Sequence, residues 1–76
     1  MTWNYRIMKR KYKDGTFSYG IHEVYFYESG KIDSWTRDEI APYGETLEEL
    51  TEDFKFQKEA LHRPVLDYET GKEVGK

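Results

Sequence analysis

The residues with most chemical promise lie in "YGIHEVYFYESGKIDSW", residues 19–35, where His22 stands beside Glu23 among aromatic side chains. A histidine touching a carboxylate would make a general acid-base pair. On a strand, however, neighbouring residues point to opposite faces, so His22 and Glu23 do not meet. The second histidine, His62, falls in the last turn of a predicted helix, where the helix dipole favours an imidazolium. Metal binding by the pair would need that helix end to reach the His22 face with a carboxylate nearby, and the spacing gives no support for this. The absence of cysteine excludes disulfides and thiolate zinc sites. There is no glycine-rich phosphate loop, nucleophile elbow or paired-histidine helix motif. The sequence therefore reads as a non-enzyme, with no catalytic residue, metal site or cofactor assigned. His22 is expected to be structural or to face a partner.

Charge offers more. Residues 1–13 carry Arg6, Lys9, Arg10, Lys11 and Lys13 and no acid, whereas all fifteen acidic residues follow Lys13. With Trp3, Tyr5 and Tyr12 interleaved, the basic stretch could track phosphates and stack bases. Two blander readings compete: lysines that keep a strand from pairing edge to edge, or internal complementarity with acidic neighbours. The acids Glu45, Glu48, Glu49, Glu52 and Asp53 gather near one predicted helix start and could form a negative patch for a basic protein partner. Thirteen of the 76 residues are aromatic, seven of them Tyr. Tyr25, Tyr27, Trp35 and Phe56 are the candidate anchors of such an interface, because Tyr and Trp dominate interface energetics.

The elements that must position these residues follow from pattern. In "TWNYRIMKRKY", Trp3, Tyr5 and Ile7 share one face, and Asn4, Arg6, Met8 and Arg10 the other, which predicts a strand. Asp14-Gly15 predicts a two-residue hairpin turn. A second strand runs from about 17 to 27, with Ile21, Glu23, Tyr25 and Tyr27 on one side and His22, Val24, Phe26 and Glu28 on the other. Gly30 marks the next turn, before a short third strand at about 31–36. After a loop over 37–45, Thr46 and Glu49 form a capping box, and Leu47, Leu50, Phe54 and Leu61 make an apolar stripe. Gln57 interrupts that stripe and Phe56 lies well off it, which marks Phe56 as a contact candidate. Pro64 ends the helix, and "PVLDY" reads as a short fourth strand.

The expected fold is α+β, in the order β-β-β-α-β: a three-stranded antiparallel meander, one helix packed on the sheet, and a short fourth strand. The other sheet face is expected to be covered by a partner, or to be wet and aromatic. One domain over 1–69 with a flexible tail over 70–76 fits a chain of this length. No apolar run approaches the roughly 20 residues that cross a bilayer, and the N-terminus lacks a secretory pattern. A soluble cytoplasmic protein without membrane contact is expected.

The segments "WNYR", "YGIHEVY", "APYGETLEEL" and "RPVLDYE" resemble a set of short bacterial and phage proteins with no assigned activity. More distantly, the element order is similar to the compact domain of HicB-like antitoxins, in which a "GxTLEEA"-like capped helix follows a meander; Gly44 to Leu50 match it here. Those antitoxins usually add a C-terminal DNA-binding segment that has no counterpart in this sequence. The resemblance implies a non-enzymatic protein that blocks a nuclease partner. The expected function is thus an inhibitor, antitoxin-like or anti-defence protein. The alternative is a small nucleic-acid-binding protein working through the basic first strand. Homodimerisation through open sheet edges is a further alternative.

Overall fold

The computed structural model describes residues 2–74. Two long strands, β1 (Thr2–Lys11) and β2 (Phe17–Phe26), form an antiparallel hairpin paired from Thr2↔Phe26 to Lys11↔Phe17. A short strand, β3 (Ile32–Trp35), adds antiparallel to the far edge of β2. The helix α1 (Leu47–Lys58) tightens into a single 3-10 turn, Glu59–His62, and stops where Arg63 turns extended (φ −109°, ψ 155°) ahead of Pro64. The last strand, β4 (Leu66–Asp67), pairs with β1.

The α+β class and element order match expectation, but the sheet is mixed rather than purely antiparallel. Its order is β3-β2-β1-β4, and β4 runs parallel to β1. The physical reason is the helix. The helix runs back across the sheet and carries the chain from the end where β3 finishes to the end where β3 began, so β4 runs the same way as β3, and therefore as β1.

The hairpin turn also differs from the two-residue turn expected at Asp14-Gly15. Tyr12 N–H donates to Thr16 O (2.9 Å) and Gly15 N–H to Tyr12 O (3.0 Å), closing a three-residue loop over 13–15. Only Gly15 takes a positive φ (91°), whereas the two-residue turn would need one at Asp14 as well. Asp14 instead accepts from Thr16 N–H and Oγ1–H, a local bond that replaces the left-handed conformation.

The tightest core lies on the face of the sheet opposite the helix. Met8, Val24 and Leu66 are fully buried there, flanked by Phe26, Ile32, Trp35 and Tyr68. The expectation of an open or partner-covered face gives way to a cover supplied by the chain's own C-terminal segment. Val74 N–H donates to Val65 O, Asp67 N–H to Lys72 O, and Leu66 bridges to Glu73. Residues 70–74 are thus hydrogen-bonded in place where a flexible tail was expected; 75 and 76 lie outside the described residues. Gly71 is the pivot: it sits at φ 73°, and a Cβ would come within 2.7 Å of the Trp35 ring. Arg6 points into the same face and is buried, donating from Nε (3.2 Å) and Nη2 (2.7 Å) to Pro64 O. Burial lowers its pKa, and the charge of Glu73 opposes that shift.

This arrangement predicts an asymmetry in stability. Met8→Ala is expected to destabilise the fold by about 2–5 kcal/mol, because it empties the centre of the core. Leu47→Ala, at a stripe position that is 78% exposed, is expected to change stability by less than about 0.5 kcal/mol. Urea unfolding followed by Trp fluorescence measures both; equal losses would place the core under the helix instead.

Candidate functional site

The helix begins as its sequence dictates. Thr46 Oγ1 accepts from Glu49 N–H (3.1 Å), which satisfies one of the unpaired donors at the helix start, and the Glu49 carboxylate accepts from Glu45 N–H (3.3 Å), one residue ahead of the cap. What the helix then buries is not its apolar stripe. Gln57 and Ala60 are the buried residues of α1 and the turn that follows it. Asp53, one turn before Gln57, completes the inward line.

The Asp53 carboxylate is the fastening. It accepts from Tyr5 Oη–H on β1 (3.0 Å), from Tyr43 N–H in the connecting loop (2.9 Å) and from Gln57 Nε2–H (3.1 Å). One side chain therefore ties together helix, sheet and loop. Burial and this carboxylate push the Tyr5 hydroxyl pKa up to about 12, because both disfavour a phenolate.

At 100° per residue, Leu50, Phe54 and Leu61 lie about a quarter turn round the helix from this polar line. Fastened by Asp53, the helix presents them sideways. Phe54 and Leu61 are 58% and 54% exposed and line an open groove of about 600 Å³ between helix and sheet, with Tyr19, Ile21, Ile40 and Pro42 on its other walls. Gln57 also lines the groove, and its Oε1 has no hydrogen-bond partner. Leu50, Phe54 and Pro42 carry the apolar surface onward around the helix.

The opposite flank has a different character. Phe56 is 61% exposed and lines a second cavity of about 370 Å³ with Trp3, Tyr5 and Glu59. Trp3 stands edge-on to Tyr5, with ring centroids 5.1 Å apart. Glu48, Glu52 and Glu59 fall on this side of the helix by their spacing. The sole ion pair among the described residues, Lys55 with Glu52 at 3.7 Å, joins two exposed side chains and neutralises little of this patch.

The candidate residues divide accordingly. Glu45, Glu48, Glu49 and Glu52 are exposed, but Glu45 and Glu49 are engaged in the cap, and Asp53 is turned inward as a fastener rather than outward as a ligand. Among the expected anchors, Phe56 is exposed and meets Trp3 in one cavity, and Tyr25 is the cross-strand neighbour of Trp3. Tyr27 is exposed at the next turn. Trp35 is spent internally, against Gly71 and Tyr68. Of the basic set, Arg6 is buried and unavailable, whereas Lys9, Arg10, Lys11 and Lys13 lie along the outer half of the hairpin. His22 is 2% exposed, with Nδ1 at 2.9 Å from Thr36 O and its ring 5.6 Å from Tyr68. The groove itself escaped the sequence reading. Its one visible signal was Gln57, the polar residue interrupting an apolar stripe.

Comparison with protein families, curated proteins and solved structures finds no match. The functional reading rests on geometry.

The fastening makes a prediction about pH. Tyr5 holds its proton more tightly when folded than the ordinary value of 10 implies, so it favours the fold below pH 10, and that contribution is lost as pH rises from about 10 to about 12. The stability difference between wild type and Tyr5→Phe is expected to shrink across that window. Urea titrations of both proteins at pH 9, 10, 11 and 12 measure it; a constant difference would exclude Tyr5 as the titrating group.

Proposed function

We propose that this chain is a small non-enzymatic protein-binding module, an inhibitor or antitoxin-like or anti-defence protein that occupies a basic surface of a bacterial nucleic-acid-processing partner. The observation that carries this reading is the outward-facing apolar stripe of α1. A helix whose Phe54 and Leu61 line an open groove, instead of closing onto the sheet, leaves apolar surface for another protein to cover. The neighbouring flank supplies the sign of that partner. Phe56 and Trp3 offer aromatic anchors beside Glu59 and Arg63, and Glu48 and Glu52 on the same flank against Lys55 leave it net negative, which suits a surface rich in Lys and Arg. The resemblance of Gly44–Leu50 to the capped helix of HicB-like antitoxins supports the same reading.

The test is affinity capture from nuclease-treated bacterial lysate with three forms of the full chain: wild type, Phe54→Ser/Leu61→Ser, and Glu48→Lys/Glu52→Lys. Glu49 is spared because it caps the helix. A protein partner is expected to bind wild type and to bind the groove variant at least about tenfold more weakly, as for loss of an interface hot spot. The charge variant is expected to bind weakly at about 0.15 M salt, with a smaller deficit relative to wild type at higher salt. A partner retained equally by all three, or none retained after nuclease, would sink the reading.

A further inference from the structure

At the end of the groove, where Tyr19 is a wall common to both, we propose that the outer half of the β1–β2 hairpin is a binding site for single-stranded nucleic acid, built from Lys9, Lys11, Phe17 and Tyr19. The register sets these four side chains on one face, as the cross-strand pairs Lys9↔Tyr19 and Lys11↔Phe17. Phe17 and Tyr19 are 51% and 55% exposed. They are two residues apart on one strand, hence about 7 Å apart, which leaves room for a base on each ring.

The decisive feature is what the cations touch. Lys9 Nζ sits 4.3 Å from the centre of the Phe17 ring and 6.0 Å from that of Tyr19. On the reverse face, the Arg10 guanidinium lies 4.1 Å from the centre of the Tyr68 ring. The only ion pair among the described residues is on the helix, so none of Lys9, Arg10, Lys11 and Lys13 is ion-paired there. Three acids stand close without pairing with these cations, and one of them, Glu39, packs against Gly20 and lines the groove beside Tyr19. Asp14 accepts twice from Thr16, and Asp67, the register neighbour of Lys9 on β4, accepts from Thr70 N–H. Ring faces orient the cations without cancelling them. Lys9, Arg10, Lys11 and Lys13 outnumber Asp14, Glu39 and Asp67, so the hairpin end is locally positive although the chain as a whole has a net charge of −3. Exposed rings beside free lysines suit unpaired bases on a phosphate backbone. A duplex keeps its base faces stacked inside and would use the lysines alone.

The test is fluorescence anisotropy of the full chain with labelled twelve-nucleotide dT and U oligomers, a duplex of the same length, and poly-glutamate as a generic anion. Phe17→Leu and Lys11→Gln are the variants, since neither residue lines the groove and failure of the protein-binding reading would leave this result unaffected. Binding to the single strands is expected to weaken with salt along a log–log slope of about −2 to −3, as for three or four phosphates. Phe17→Leu is expected to weaken it about tenfold. Circular dichroism checks that both variants fold. No binding at about 50 mM salt, or binding to duplex and poly-glutamate as tight as to the single strands and indifferent to Phe17→Leu, would overturn the proposal.

Discussion

The Asp53 carboxylate decides how the helix lies, and much of the surface follows from that. Its bonds to Tyr5, Tyr43 and Gln57 fix the rotation of α1 about its own axis. A half-buried carboxylate is costly to leave unpaired, so the helix turns its polar line, not its apolar stripe, toward the sheet. Phe54 and Leu61 are then left at the rim. The groove is a consequence of that fastening rather than of loose packing.

A small sheet with two faces and one helix has a second problem, which is to cover the face the helix does not reach. This chain solves it with its last residues. Leu66 enters the core beside Met8 and Val24, Tyr68 closes over His22 and Trp35, and Gly71 lets the chain pass against the Trp35 ring. Arg6 anchors that segment through Pro64 O, which turns a residue of the basic strand into an interior strut. The histidine that first suggests chemistry is enclosed by the same cover.

The structure also sorts the uneven charge. The acids of α1 and the cations of the hairpin end belong to separate surfaces, and internal complementarity, one of the readings the charge pattern allows, forms no ion pair on the basic strand among the described residues. Lysine and arginine rest on aromatic rings instead. High aromatic content therefore serves three ends: an enclosed core face, anchors beside the acidic flank, and exposed rings at the hairpin.

By itself the sequence determined the local elements. Alternation in β1 and β2 assigns the faces of Arg6, Met8, His22 and Val24, the Thr46–Glu49 box starts the helix, and Pro64 ends it. These are legible because each depends on a few neighbouring residues and on backbone geometry with a fixed period. Tertiary structure alone decided three things: that β4 lies parallel beside β1, that residues 65–74 roof the second face, and that Asp53 and Gln57 rather than Leu50 and Phe54 face the sheet. Periodicity reports that a helix has an apolar side, and by default that side is read as core. Which side is buried is set by partners distant in sequence, here Tyr5 forty-eight positions away from Asp53, and no local pattern encodes a bond of that range.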